Sequence, residues 1–309
     1  MKEIIIDTDP GHDDALAIIL AVKSGAFKIH AITTVAGNST IENTTRNARF
    51  ILKLLEREDI LVYSGSDKPL ERELIKAVVH GESGLEGLHP KNEPHLTNDA
   101  VEKILDIIEN NPYKISLVTL GPLTNIAKAI RKNPKTMLKL KEIVMMGGAI
   151  KVPGNKNRVA EFNIFVDPES ADIVFKFPVS KTLVPLDACN HVKMSLQDFE
   201  KIQNPKLKQP IIDMIKPYIR NIAVEEGVNF ALMYDPLTVY SLIKPDSCIK
   251  KDFNILIETR GKITRGMTVA ELRKSKAKNP NITVIEKISK DKFIKDFIRY
   301  LSCDAEMLK

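Results

Sequence analysis

Residues 4–18 read IIIDTDPGHDDALAI, and the organisation of the whole chain follows from this stretch. A short apolar run leads into a Pro10-Gly11 turn, and a segment with the apolar spacing of a helix comes next. These features predict a buried strand, a turn and a helix. Because open sheets of parallel strands bind ligands beside the carboxyl ends of the strands, the turn is a candidate ligand site.

The turn is unusually acidic. Its four carboxylates are Asp7, Asp9, Asp13 and Asp14. Like charges at this spacing raise one another's pKa unless a cation lies among them. Ca²⁺ accepts many carboxylate and carbonyl oxygens in loose geometry, whereas Mg²⁺ requires a stricter octahedron, and the absence of a nearby cysteine or second histidine argues against zinc. Acidic residues also suit the positive end of a helix dipole, but that effect is too small to explain all four. The sequence therefore predicts a divalent-cation site.

The composition is that of a globular protein. The chain has 309 residues, of which 43% are hydrophobic and 28% are charged. Since no change in composition marks a linker, we expect a single domain over residues 1–309. Apolar runs alternate with helical patterns, which predicts an α/β fold with a mostly parallel central sheet flanked by helices on both faces.

The same patterns give approximate element boundaries. They predict strands at Ile29–Val35, Ile60–Tyr63, Ile115–Leu120, Ile143–Met146, Thr182–Pro185, Phe253–Thr259 and Ile282–Ile285, and helices at Glu42–Leu55, Asp99–Asn110, Pro168–Phe177 and Asp291–Leu301. Helical patterns dominate between Pro185 and Tyr240. Residues 64–96 form a long irregular connection, and connections of that length usually carry function in a compact domain.

Composition also limits the expected partners. The formal net charge is +6, but basic residues such as Lys139, Lys141, Lys250 and Lys251 are scattered and tryptophan is absent. A nucleic-acid surface usually concentrates basic residues among aromatic ones, so we expect no nucleic-acid partner. No apolar run reaches the roughly 20 residues of a membrane span, and no leader peptide is visible. Three cysteines without a CxxC pair favour a reducing compartment, so we expect a cytoplasmic protein.

Polar residues recur where the predicted strands end. They are Asn38, His80, Thr124-Asn125, Asn155, Glu161 and Asn163, with Tyr234 and Asp235 opening a later helix. Amides and carboxylates that meet at one sheet edge beside a cation would suit a polyhydroxylated ligand.

Most of these residues also have an ordinary structural explanation. Asn38 could be only a turn residue, His80 a surface histidine and Asp235 a helix cap. Thr124-Asn125 fits better as a capping pair for the helix that follows it. Glu161 lies between apolar residues, and a buried carboxylate needs a partner, so its burial would indicate function.

In their order, these motifs resemble those of the nucleoside hydrolases of the inosine-uridine preferring group. Residues 7–14, DTDPGHDD, look like the family signature DxDPGxDD. The further matches are ITTVAGN at 32–38, HGESG at 80–84, GPLTNIA at 121–127, VMMGG at 144–148, AEFNI at 160–164, DP at 235–236 and GMTV at 266–269. The likeness covers almost the whole chain, and its first motif together with the Glu161 block is highly specific.

The resemblance implies a Ca²⁺-dependent enzyme that hydrolyses the N-glycosidic bond of ribonucleosides. It implies that Asp9, Asp14, Asp235 and the main-chain carbonyl of Leu120 ligate the ion, and that Asp9 is also the general base towards water. It further implies a homodimer or homotetramer.

The resemblance also implies the substrate contacts. Asp13, Asn38 and Asn155 would bind the ribose, Glu161 and Asn163 would bind its 5′-hydroxyl end, and His80 would be a further contact. Asp7 fits a supporting role behind the metal ligands.

One position departs from the family pattern. Many relatives have a histidine before the last metal ligand, as a candidate acid for the leaving base, and this chain has Tyr234. A phenol with a pKa near ~10 is a weaker acid than imidazolium, so Tyr234 either donates a proton or packs against the base, or another group donates.

The base pocket is the least determined part of the site. We expect the helical segment Ile211–Gly227 to cover it, but the sequence does not rank its polar residues Tyr218, Arg220, Asn221 and Glu225. Some purine-specific relatives stack a tryptophan indole on the base, and this chain has no tryptophan. The preference for purine or pyrimidine nucleosides therefore stays open.

Two other functions fit parts of the pattern. A phosphohydrolase of the haloacid-dehalogenase kind would use Asp7 and Asp9 around Mg²⁺, although it leaves Asp13 and Asp14 unexplained. A calcium-stabilised nucleoside binder without catalysis would fit the altered position at Tyr234.

Overall fold

The computed structural model describes residues 1–91, 93–273 and 279–303. Its strands are β1 (Lys2–Thr8), β2 (Phe27–Thr34), β3 (Val62–Ser64), β4 (Ile115–Thr119), β5 (Glu142–Met146), β6 (Lys181–Val184), β7 (Lys193–Met194), β8 (Ala231–Leu232), β9 (Cys248–Phe253), β10 (Ile255–Ile257), β11 (Thr268–Ala270) and β12 (Ile282–Ile288). Its helices are α1 (His12–Lys23), α2 (Ile41–Leu54), α3 (Ala100–Asn110), α4 (Thr124–Lys132), α5 (Pro134–Met137), α6 (Phe162–Val166), α7 (Pro168–Lys176), α8 (Leu186–Cys189), α9 (Leu196–Glu200), α10 (Pro205–Glu226), α11 (Tyr234–Ile243) and α12 (Lys290–Ser302).

One large sheet runs through the centre of the fold. It has eight strands in the order β3-β2-β1-β4-β5-β6-β12-β9, and every neighbouring pair is parallel except β12 with β9. The chain runs outward from β1 to β2 and β3 and then returns to the other side of β1 as β4. This reversal of strand order opens a crevice beside the carboxyl ends of β1 and β4, where open α/β sheets bind ligands.

Both faces of the sheet are covered. Ile4 and Ile6 of β1 pack into one buried apolar cluster, and Ile5 between them packs into a second cluster on the opposite face. Side chains alternate between faces along a strand, so a run of three isoleucines is expected where helices cover both sides. The predicted α/β class, with a mostly parallel sheet between helices, is therefore confirmed.

Most of the predicted elements lie within a few residues of their observed positions. The strand predicted at Phe253–Thr259 contains β10 but extends beyond it at both ends. Its first residue is the last of β9, which pairs with β12, and its centre is β10, which pairs with β11 in a separate two-stranded sheet. The prediction missed β9 because residues 249–252 are all exposed, and an edge strand carrying Lys250 and Lys251 has no buried alternation to detect.

Two other segments bear on the site. Residues 65–99 contain no helix or strand among those described, as expected for the long connection, and they reach the mouth of the crevice. The short helix α6, which carries Asn163, was not predicted.

Among the helices that the structure describes, none is long and apolar enough to cross a bilayer.

Helix α12 packs aromatic side chains into one of the two apolar clusters. Phe297 is fully buried and meets Phe199 of α9 edge-on at 6.3 Å and Phe293 at 5.4 Å between ring centroids. We expect Phe297→Ala to lower the free energy of unfolding by about 3–5 kcal/mol, because it removes a buried ring and leaves a cavity. Urea unfolding measures this loss. Lys295→Ala, at an exposed position of the same helix, is the control and should change stability little.

Candidate active site

A cleft lies at the predicted sheet edge and collects most of the predicted residues. Nine of them line it: Asp13, Asn38, His80, Leu120, Asn155, Glu161, Asn163, Tyr234 and Asp235. Asp9 and Asp14 do not line the cleft, since both are completely buried. They lie next to it, because each contacts Asn38 of the cleft wall.

Three carboxylates converge from two helix ends. Asp13 and Asp14 are in the first turn of α1, and Asp235 is in the first turn of α11. One oxygen of each lies within 4.8 Å of the others. Burial, and then repulsion by Asp14, raise the pKa of Asp235 well above its usual range, and burial also raises the pKa of Asp14. Asp235 is not the cap of α11, whose N-cap is Met233, so its carboxylate is free to join the cluster.

The two carboxylate oxygens of Asp9 differ in their hydrogen bonding. The backbone N–H of Asn38 donates to Oδ2 at 2.7 Å, whereas Oδ1 is buried without a hydrogen-bond partner among the described residues. Burial, and then the negative charge of Asp14, raise the pKa of Asp9 well above its ordinary value. A Cβ at Gly37 or Gly121 would overlap this carboxylate, so two glycines allow the backbone to approach it.

Asp14 is held in place by three donors. The Thr8 hydroxyl donates to Oδ1, and the backbone N–H of Gly11 and the side-chain amide of Asn38 donate to Oδ2 at 3.0 and 2.9 Å. Asn38 therefore fixes both Asp9 and Asp14, which is more than the role of a turn residue.

Asp7 lies behind the cleft. Its Oδ1 accepts hydrogen bonds from Thr33 at 2.5 Å and from Asn125 at 2.8 Å, and burial raises its pKa to about 7. Asp7 does not line the cleft, and Thr33 and Asn125 hold its Oδ1, so its placement fits a supporting role better than attack on a phosphomonoester. This placement argues against the phosphohydrolase alternative.

The interpretation of Thr124-Asn125 as a capping pair was wrong. The N-cap of α4 is Leu123, with no side-chain cap. Thr124 donates to Asp167 at 2.6 Å, and Asn125 joins Asp7 to the backbone of Thr34 and Ser66. Sequence spacing could not show this, because both partners are distant along the chain.

Glu161 and Asn163 form a second polar wall. The Glu161 carboxylate caps α6 and accepts from the backbone N–H groups of Gly148, Asn163 and Ile164 at 2.8–3.1 Å. Burial raises its pKa, and these N–H groups oppose the shift. The Asn163 amide donates to the carbonyl of Leu120 at 2.7 Å, which orients that carbonyl at the cleft floor.

His80 is part of a buried ring stack and is not a surface histidine. It is 5% exposed, and its Nδ1 accepts from the backbone N–H of His12 at 3.2 Å. The rings of His12, His80 and Tyr218 stack with centroids 4.9–5.4 Å apart. Burial holds the pKa of both histidines below the ordinary value, at about 4 for His12.

Helix α10 covers the cleft as expected, and the structure ranks its polar residues. Tyr218 and Glu225 line the cleft, whereas Arg220 and Asn221 bind the Glu86 carboxylate at 2.6 and 2.8 Å. The cleft also contains residues to which the sequence analysis assigned no role: Ala77, Val78, Val79, Met146, Lys156, Phe162 and Ile222. Ala77, Val78 and Val79 lie in the long connection, where apolar residues carry no periodic signal, whereas Met146 and Phe162 lie within quoted motifs that indicated them.

Comparisons with known proteins agree with this arrangement. Residues 4–295 match the family described as inosine-uridine preferring nucleoside hydrolase. The pyrimidine-specific ribonucleoside hydrolase RihA of Shewanella woodyi is 42% identical over 301 residues, which cover 95% of this chain and 96% of that protein. A plant nucleoside hydrolase has a similar structure, with a TM-score of 0.91 and 29% identity over 98% of this chain and 99% of the other. The purine-preferring ribonucleoside hydrolase of Gardnerella vaginalis has a TM-score of 0.89 and 27% identity over 99% and 100% of the two chains.

These similarities extend over nearly the full length of this chain and of the matched proteins, so they include every element that contributes to the cleft. The sequence motifs, the sheet topology and the matched residues all agree. On these grounds, the chain belongs to the inosine-uridine preferring nucleoside hydrolase family and is a ribonucleoside hydrolase.

Proposed function

We propose that the chain cleaves the N-glycosidic bond of ribonucleosides to ribose and free base, with a bound Ca²⁺ and with Asp9 as the general base. The observation that carries the proposal is the buried carboxylate cluster beside a cleft lined with amides and carboxylates. Enzymes of this family depend on a metal in general.

The residues present fit a hard divalent cation. The carboxylates of Asp13, Asp14 and Asp235, with oxygens within 4.8 Å of one another, would repel strongly in a dry site. Asp9 is outside that group, but its buried Oδ1 has no hydrogen-bond partner among the described residues. Asp9, Asp14, Asp235 and the Leu120 carbonyl offer only oxygen ligands, which Ca²⁺ prefers. When bound, such an ion lowers the pKa of an adjacent water molecule.

Asp9 is the residue best suited to take a proton from water. Its Oδ2 accepts the Asn38 N–H, and its Oδ1 would keep a lone pair for the proton even when it ligates a cation. As the water oxygen bonds to the anomeric carbon, the bond from that carbon to the base nitrogen breaks and the base keeps the electron pair. The ribosyl centre gains positive charge in the transition state, which the surrounding carboxylates stabilise. Direct attack predicts inversion at the anomeric carbon.

The remaining cleft residues would orient the substrate. Asp13, Asn38 and Asn155 offer acceptors and donors for ribose hydroxyls, and Glu161 with Asn163 would meet the 5′-hydroxyl end. His80 would contact the substrate from the ring stack. Tyr234 lines the cleft beside Asp235, and we propose that its hydroxyl protonates the departing base.

The similarity to known proteins does not show which nucleoside base this chain prefers. One relative is named pyrimidine-specific and one structural neighbour purine-preferring. We therefore propose ribonucleosides as the substrate class. We also propose a homodimer or homotetramer in the cytoplasm, which sedimentation and cell fractionation would test.

The first test is a nucleoside panel. We expect ribose release from at least one of inosine, uridine, adenosine, guanosine and cytidine, loss of release with a chelator, and recovery when Ca²⁺ is restored, because the carboxylate cluster needs the ion. A reducing-sugar assay measures it, with a phosphomonoester as the negative control. Absence of ribose from all five substrates with Ca²⁺ present would contradict the proposal.

The second test removes the base. We expect Asp9→Asn to lower kcat by about 10²–10⁴-fold, the usual contribution of a general base, while the protein stays folded. Steady-state kinetics and thermal unfolding measure the two effects. Asp172→Asn, in a surface pair with Lys176, is the matched control and should keep its activity. Turnover near the unmodified level in Asp9→Asn would exclude Asp9 as the base.

The third test concerns the leaving base. We expect Tyr234→Phe to lower kcat for nucleosides by about tenfold to a hundredfold, because a phenol is a weak but positioned acid. Cleavage of 4-nitrophenyl riboside should stay unchanged, since that leaving group needs no proton. Equal losses for both substrates would instead assign Tyr234 to packing.

A further inference from the structure

One face of α10 forms a wall of the cleft. Tyr218, Ile222 and Glu225 follow one another at spacings of four and three residues, so they share a stripe along the helix. All three line the cleft. Arg220 and Asn221 lie between them in sequence, point elsewhere and bind Glu86. The stripe therefore presents two largely apolar side chains followed by one carboxylate.

The residues that line the cleft form two groups of different chemistry. The polar group comprises the carboxylates with Asn155, Glu161 and Asn163, and it suits hydroxyl groups. The apolar group comprises the stripe of α10 and residues 77–79, an alanine and two valines, and the Asn221 amide of α10 donates to the Val79 carbonyl. Flat heterocycles prefer apolar walls with a few polar groups that determine orientation. The apolar group is thus the place for the base, if the proposed function is correct.

Glu225 is the charged residue on the α10 stripe. The Tyr218 hydroxyl is already engaged, since it donates to the carbonyl of Leu232 at 3.2 Å. The Asn221 amide binds the Val79 carbonyl and Glu86. The carboxylate of Glu225, by contrast, lines the cleft without an ion pair to another described residue. An ionised carboxylate can only accept hydrogen bonds, so it favours ligands that present a donor.

We propose that Glu225 accepts a hydrogen bond from the exocyclic amino group on the base edge far from the sugar, so that the chain favours cytidine over uridine and adenosine over inosine. The proposal rests on the proposed nucleoside hydrolysis. Cytosine and adenine carry an amino group on that edge, whereas uracil and hypoxanthine carry an oxygen whose lone pairs face the carboxylate. The preference is opposite to the one that the family's description names.

The experiment compares the two matched pairs of substrates. We expect kcat/KM to be about tenfold higher for cytidine than for uridine, and about tenfold higher for adenosine than for inosine. A factor of about ten is typical of one hydrogen bond to a charged group at a partly open site. Most of the difference should lie in KM, because the contact exists before and during bond cleavage.

Substitutions at Glu225 change whether the side chain at this position accepts or donates hydrogen bonds. Glu225→Gln offers both an acceptor and a donor, so the two ratios should fall towards one. Glu225→Lys offers donors only, so the ratios should invert in favour of uridine and inosine. A merely structural role for Glu225 would lower all four activities together and leave the ratios unchanged. Asp213→Asn, which removes a carboxylate elsewhere on α10, is the control and should preserve both ratios.

The outcomes separate this proposal from the proposed function. Turnover of all four nucleosides at similar rates, or unchanged ratios in Glu225→Lys, would overturn the role of Glu225 while leaving nucleoside hydrolysis intact. Absence of turnover with Ca²⁺ present would overturn the hydrolysis. In that case, calorimetric titration of the same protein with cytidine and uridine still tests Glu225, because equal affinities would contradict it.

Discussion

Carboxylates buried close together at the end of β1 are the constraint on which the rest of this structure depends. Asp9, Asp14 and Asp235 are buried, and in each case burial is the largest cause of a raised pKa. Ionised groups in such a place are costly unless hydrogen bonds and a cation compensate them. The surrounding fold supplies the hydrogen bonds, and the proposed cation would supply the rest of the compensation.

This compensation explains several features that are unrelated in sequence. Asn38, from the loop after β2, binds both Asp9 and Asp14. Asn125, from α4, holds Asp7 behind them. Gly37 and Gly121 lack side chains because a Cβ at either position would overlap Asp9. The reversal of strand order around β1 brings all these loops to one edge, so the topology places the charge cluster and its hydrogen-bond partners together.

The opposite end of the cleft is under weaker constraint. Its walls come from the long irregular connection and from α10, and they are mainly apolar. The ring stack of His12, His80 and Tyr218 connects this wall to the acidic motif, because His12 belongs to that motif and His80 lies 3.8 Å from Asp13.

The sequence by itself determined the α/β class, most element positions and the residues of the acidic edge, because apolar periodicity and the clustering of Asp7, Asp9, Asp13 and Asp14 are local signals. Only the tertiary structure decided that Thr124 and Asn125 are not caps, that β9 and β10 are separate strands, and that Glu225 rather than Arg220 faces the cleft. Those facts depend on partners distant along the chain and on which side of a helix meets a neighbour. Contacts between distant residues and the orientation of a helix face produce no periodic pattern in a single sequence. The long connection at residues 65–99 contains no described helix or strand, so its sequence has no periodic pattern either.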